Sequence, residues 1–520
     1  MPKPEKDDLV SGFFIFLIAL PLSMGIAMAS GFPPVAGITT AVIGGCISSF
    51  FGSSRLTIKG PAAGLIVIAV SAVHELGMGD PVLGYKRCLA VGVIAAVIQI
   101  IFARMKVGTY AELMPPSVVH GMLAAIGVII ISKQIHILFG VTPRGNTPLE
   151  LLAEIPRSFS NLNPEVFLIG GISLLMLILF PLLKNNYLKR IPAPLVAIFF
   201  AIPIAIYFDF DHLHQYKIFG ETYSIGPNFL VDLPGRISDA ITLPDFSAIL
   251  SLTSIKYIIM FALVGTVESL LTVSAVDSLD PERQPSDLNK DLLSVGIGNF
   301  IAAFMGGLPM ISEIVRSKAN IDNGAKSYWA NIFHGLFLLV FVAIFPHLLH
   351  LIPLAVLSAM LVYTGYRLSA PGEFIHTYKM GKDQFFLFSS TFTITLFTDL
   401  LIGVGVGLIL KLILHKIRGA SIRKSFNTPV KVKSEENKHV VEVNGPGIFT
   451  GYLSLKNQVE RLRPDKKPIE INFERSPIVD LTVQTKLRSL QREFGEENLI
   501  IVGLERHRSS SVYAEATKVL

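Results

Sequence analysis

The sequence predicts an α-helical polytopic membrane protein with a small α/β domain at its C-terminal end. Three observations carry that prediction. Of 520 residues, 51% are hydrophobic and only 16% charged, where a soluble chain is about a quarter charged. Mean hydropathy is +0.56, and apolar runs nearly free of charge recur along the first four-fifths of the chain. From about Pro429 the pattern changes to the alternations of a soluble domain.

Spans are expected near residues 9–30, 35–51, 61–73, 89–103, 117–132, 166–183, 193–208, 257–276, 292–305, 311–320, 328–348, 353–366, 385–397 and 400–415. That makes fourteen, of which the third and tenth are short. The first is read as a span rather than a signal peptide, because it follows mixed charges, exceeds an h-region and leads directly into further spans.

Lysine and arginine set the expected orientation. With the N-terminus inside, the even loops carry Arg104 and Lys106, then Lys184, Lys189 and Arg190, then Arg367, Lys379 and Lys382. The flank "KLILHKIRGASIRKSF" puts the C-terminus inside as well. The net charge of +6 therefore reads as a topology signal, and no nucleic-acid partner is expected. Cys46 and Cys88 read as small buried hydrophobes.

In the tail, "HVVEVNGPGIFTG", "KPIEINFER" and "NLIIVGLE" read as strands. "GYLSLKNQVERLRP" and "VQTKLRSLQREFG" read as the helices between them. The expected domains are a membrane domain over 1–420, a linker over 421–436 and an α/β domain over 437–520.

The third segment, "LTIKGPAAGLIVIAV", and the tenth, "GGLPMISEIVRSKAN", each open on Gly/Pro-interrupted backbone and then turn helical. Matching interrupted segments in the two halves point to a seven-plus-seven inverted repeat with a binding site at the interruptions. A helix N-terminus presents unpaired N–H groups and partial positive charge, so two facing N-termini would hold an anion without a lysine. Gly60 and Pro61 let extended backbone reach such a pocket, Ala62 and Ala63 leave room beside Gly64, and Ser312 would add a hydroxyl. Close helix packing is the alternative use of these small residues.

The stretch "ALPLSMGIAMASGFPPVAGITTAVIGG" resembles the first two spans of the sulfate permease (SulP) family of inorganic anion transporters. "SRLTIKGPAAGLIVIAV" resembles that family's third segment, and the tail resembles its STAS domain. The resemblance implies fourteen spans divided into core and gate subdomains, a homodimer in the cell inner (plasma) membrane, and an anion site between spans three and ten. The substrate-binding residues would be Gly60, Pro61, Ala62, Ala63, Met310, Ile311, Ser312 and Arg316. Glu268 matches the acidic position of span eight that the family links to proton or sodium coupling. Thr272 follows four residues on, on the same helical face. In sodium-coupled bicarbonate carriers of the family, a hydroxyl side chain stands where this chain has Ile314, which favours a proton on Glu268 over sodium.

Glu313 leaves two readings open: a titrating carboxylate that couples a proton, or a clamp permanently paired with Arg316. His120 is read as a packed or gate-side histidine, and Lys59 and Asp399 as interfacial residues near span ends. Thr482, in "IVDLT", stands where related signalling domains carry a phosphorylatable hydroxyl; Asp480 as a helix N-cap is the simpler reading. There is no Walker A loop, metal-ligand cluster or nucleophile triad, so neither an enzyme nor a cofactor is expected beyond a coupling ion, H+ or Na+. The expected function is secondary active transport of sulfate or bicarbonate, H+-coupled, by alternating access. A Na+-coupled bicarbonate symporter and an uncoupled anion channel stand as alternatives.

Overall fold

A computed structural model describes residues 3–145, 147–183, 191–218, 220–233, 241–282, 284–420, 430–465 and 467–520. Lys184, Lys189 and Arg190 lie outside the described residues, as do the first nine of the expected linker. The chain separates into two compact units, residues 1–108 with 126–368, and residues 109–125 with 369–520.

The first unit is built on apolar helices. In order they are α1 (Lys6–Ala29), α2 (Pro34–Cys46), β1 (Ile58–Pro61), α3 (Ile66–Gly77) and α4 (Pro81–Arg104). Then come most of α5 (Pro116–Leu138), α6 (Pro148–Ser160), α7 (Pro164–Leu179), α8 (Ala193–Tyr207) and a hairpin of β2 (His214–Ile218) and β3 (Glu221–Ile225). After them follow α9 (Leu252–Leu279), α10 (Leu288–Phe304), β4 (Met310–Glu313), α11 (Ile314–Asp322), α12 (Trp329–Ile344), α13 (Pro346–His350) and α14 (Leu354–Leu368). Among the described residues, six helices are long and apolar enough to cross a membrane: α1, α4, α5, α7, α9 and α17 (defined below). Helices α2, α3, α8 and α12 are apolar but shorter.

Two helices start well before their predicted apolar blocks because a polar residue caps them. Asp80 accepts from the Val82 and Leu83 amides and starts α4 eight residues before its block. Ser251 likewise caps α9 through Ser254. The sequence reading did not anticipate α6 or the β2–β3 hairpin, because neither is apolar enough to register as a span.

Segments three and ten both begin as strands. β1 and β4 pair antiparallel in the register Ile58↔Glu313 to Pro61↔Met310, across some 250 residues of chain. Around them, Thr40 Oγ1 donates to the Leu308 carbonyl at 2.9 Å, and the Ile58 amide donates to Ser317 Oγ at 2.9 Å. An unsatisfied peptide group is costly in a bilayer, so extended backbone persists there only where protein groups engage it.

The second unit holds α15 (Pro371–Met380), α16 (Lys382–Phe397), α17 (Leu400–Ile417) and the C-terminal domain. In that domain β5 (Val430–Ser434) pairs antiparallel with β6 (His439–Val443); β6, β7 (Ile469–Asn472) and β9 (Leu499–Val502) are parallel. The short strands β8 (Ile478–Val479), β10 (Arg508–Ser509) and β11 (Lys518–Val519) form a separate sheet. Helices Tyr452–Leu462 and Leu481–Phe494 turn Leu455, Val459, Val483, Leu487 and Leu490 onto Val441, Ile469 and Ile471. The strand–helix alternation read in the tail is therefore present, and this region fits the STAS domain. Asp480 caps helix Leu481–Phe494 through the Val483 amide at 2.8 Å. Asp399 caps α17 through Ile402 at 2.9 Å. His120, half-exposed, lies 3.0 Å from Glu373.

Two basic residues differ from the interfacial or flanking roles expected of them. Lys59 is buried, with Nζ 3.0 Å from Asp291 Oδ1. Lys411 of α17 is buried too; its Nζ donates to Thr482 Oγ1 at 2.6 Å and lies 3.2 Å from Asp480 Oδ2. Each buried ammonium has found a buried carboxylate far away in sequence, which local composition could not reveal.

Candidate functional site

The β1–β4 ladder brings the starts of α3 and α11 together, since each helix follows directly from one of the paired strands, through a 3-10 turn at Ala63–Leu65 for α3. Among the described residues, neither start has a side-chain cap: Leu65 precedes α3 and Glu313 precedes α11, and neither side chain bonds the first turn. The positive ends of both helices thus carry no side-chain cap, although in α3 the Leu65 and Ile66 amides already donate to the Ala62 and Ala63 carbonyls of the 3-10 turn.

Of the residues predicted to bind substrate, Gly60 and Pro61 lie on β1, and Met310, Ile311 and Ser312 on β4. Ala62 joins β1 to the start of α3, donating from its amide to the Pro309 carbonyl at 3.1 Å. Ala63 opens the 3-10 turn that leads into α3. Met310 is fully buried, its side chain packed with Ile43, Val295 and Ala302. Ser312 is engaged twice: its hydroxyl donates to Asp291 Oδ2 at 3.1 Å and its amide to Ser269 Oγ at 3.1 Å.

Arg316, on the first turn of α11, is fully buried, with Nε 3.0 Å from Glu313 Oε2. That is ion-pair distance, but the N–H does not point along it, and Nε, Nη1 and Nη2 all lack a hydrogen-bond partner. A Cβ on Gly60 would lie 2.6 Å from Nη1, so the guanidinium sits close against β1 and a larger residue there would have to displace it. A paired yet hydrogen-bond-starved guanidinium is free to fork onto an oxyanion. The structure thus pairs Glu313 with Arg316 and leaves Glu313 Oε1 without a partner.

Glu268 lies mid-way along α9. It is buried, and neither carboxylate oxygen has a hydrogen-bond partner. A Cβ on Gly64 would run into that carboxylate, so Glu268 rests against the opening turn of span three. Thr272, one turn on, is buried as well. Ile314, which offers no ligand atom, is partly exposed at the start of α11. The sequence reading missed Ser269 and Asp291, which hold Ser312; a serine and an aspartate in a span carry no local signal of a partner on another element.

The model of the sulfate permease family matches residues 6–391. This chain belongs to that family. The sulfate permease chain is 27% identical over 516 residues to the putative sulfate transporter YvdB of Bacillus subtilis, covering 96% of this chain and 92% of that one. It is 25% identical over 406 residues to the bicarbonate transporter BicA of Picosynechococcus, covering 77% and 68%. Its structure superposes on the transmembrane domain of a cyanobacterium bicarbonate transporter BicA with a TM-score of 0.64 at 25% identity, covering 78% of this chain and 97% of that domain. On SLC26A9 the TM-score is 0.69 at 15% identity over 95% and 83%, a likeness of fold. The protein is therefore a multi-pass membrane anion transporter of the sulfate permease family, and not an enzyme.

Proposed function

We propose that this sulfate permease family member is a secondary active transporter of sulfate or bicarbonate, coupled to protons through Glu268 and working by alternating access. The pair of uncapped helix starts held together by β1 and β4 carries the reading. They offer an oxyanion two positive helix ends and the unbonded nitrogens of Arg316, in a pocket lined by Gly60, Pro61, Ala62, Ala63, Met310, Ile311 and Ser312. A cavity of ≈ 770 Å³ elsewhere in the same unit is lined by Asp211, Asp232 and His350 among others, and its two aspartates make it a poor anion site.

Glu268 supplies the coupling. A carboxylate with no partner inside a membrane carries a proton or a cation, because the bare charge is too costly there. Thr272 would complete a cation site, but Ile314 offers no ligand atom, which favours the proton over sodium. Glu313, paired with Arg316, tempers the positive field at the anion. Fourteen spans in an inverted repeat, cytoplasmic termini, a plasma-membrane location and a homodimer complete the reading.

The test is uptake of labelled sulfate and of labelled bicarbonate by the purified chain in proteoliposomes, under imposed proton or sodium gradients. Uptake should follow the proton gradient, and Glu268→Gln should remove that dependence. Undiminished proton-driven uptake by Glu268→Gln overturns the coupling assignment. Flux that ignores both gradients favours a channel.

A further inference from the structure

β4 has two edges, and only one of them meets β1. The other must satisfy its peptide groups from elsewhere, because the membrane interior offers no water. Both groups of Met310 are met by one side chain. The Met310 amide donates to Asn299 Oδ1 at 2.6 Å, and Asn299 Nδ2 donates to the Met310 carbonyl at 3.1 Å. Asn299, mid-way along α10, thus does what a third strand would do, since a carboxamide presents an acceptor and a donor as a peptide does. The Met310 peptide also decides which way the amide faces. Opposite Met310 on β1 stands Pro61, which has no N–H of its own to give.

Asn299 Nδ2 donates again, to Gln99 Oε1 of α4 at 2.9 Å. Gln99 is buried, and its Nε2 would lie 3.1 Å from a Cβ on Gly265, three residues before Glu268 on α9. A chain of two carboxamides therefore runs from the helix that carries Glu268 to the strand that leads into Arg316.

We propose that Gln99 and Asn299 are positioning residues for transport. Asn299 clamps the Met310 peptide so that β4 stays in register and the start of α11 keeps its place beside that of α3, and Gln99 acts by orienting Asn299. The transport consequence rests on the anion site proposed above; the clamp itself does not.

The test uses the full chain in proteoliposomes with Gln99→Met, Asn299→Leu and the double variant, counting only folded protein by size exclusion. Labelled sulfate and labelled bicarbonate are the probes. The half-saturating anion concentration should rise about fivefold in Gln99→Met and more than about tenfold in Asn299→Leu, with maximal turnover within about twofold of wild type. The double variant should match Asn299→Leu alone, because Gln99 acts through it. Amide hydrogen exchange over residues 306–313 should quicken by roughly tenfold or more in Asn299→Leu and by less in Gln99→Met. An unchanged half-saturation with unchanged exchange, or additive effects in the double variant, overturns the proposal. If Asn299→Leu fails to fold, Gln99→Met, which keeps the side-chain shape, decides by the same readouts. If wild type moves neither anion, the proposed function fails, and hydrogen exchange alone decides whether the clamp exists.

Discussion

Arg316 and Glu313 lie three residues apart around a strand-to-helix junction, and the ion pair between them leaves all three guanidinium nitrogens without a hydrogen bond. Replacing Arg316 by Lys keeps the charge but loses the planar fork, so anion uptake should weaken by roughly tenfold in half-saturation while the protein still folds. Arg316→Met should be worse and lower the melting temperature, since it leaves Glu313 buried and unpaired. Equal half-saturation for wild type and Arg316→Lys would remove Arg316 from the anion's field. Gly64 offers a steric counterpart. A Cβ there collides with the Glu268 carboxylate, whereas one at Gly405 meets nothing within 4 Å. Gly64→Ala should therefore cut uptake by at least about tenfold and Gly405→Ala leave it near wild type, a contrast that uptake per folded molecule checks.

The junction between α17 and helix Leu481–Phe494 has its own electrostatics. Asp480 is fully buried, and burial by itself would raise its carboxyl; the Lys411 ammonium and the His415 bond outweigh that and hold it well below the usual carboxylate range. A depressed carboxyl stabilises the fold above its unfolded value of about 4, and that contribution is lost as pH falls below it. The melting temperature of wild type should thus exceed that of Asp480→Asn near neutral pH, and the gap should close as the pH falls below about 4. A gap independent of pH would exclude the ionised carboxylate of Asp480 as its source. Thr482, bonded to Lys411 and buried, is not presented to a modifying enzyme in this arrangement.

Within the second unit, the membrane-spanning α17 and the STAS region share one buried ion cluster. Cutting the chain after Pro429 removes Asp480 and Thr482 and leaves Lys411 and His415 on α17 without their acceptors. The truncated chain should lose thermal stability, and Lys411→Met should restore part of it there while destabilising the full-length chain, because the cost of an unpaired buried charge changes sides. Thermal melts of the four proteins check this. A Lys411→Met effect of the same sign in both backgrounds would exclude the pairing.

The class, the places where spans are interrupted and the alternation of the tail are legible in the linear chain, because apolar runs, Gly-Pro breaks and period-two patterns are local consequences of the bilayer and of backbone sterics. Glu268 is legible there too, since a lone carboxylate in an apolar run stands out. That Ile58–Pro61 pairs with Met310–Glu313, that Glu268 rests on Gly64, and that Asn299 and Gln99 complete the strand's edge emerges only once the chain is folded. Folding also turned Lys59 and Lys411 from expected interfacial and flanking charges into buried partners of Asp291 and Asp480. The reason is common to all of these. A polar group in a membrane span is satisfied by whichever element lies beside it, and that neighbour can stand hundreds of residues away, where no local pattern records it.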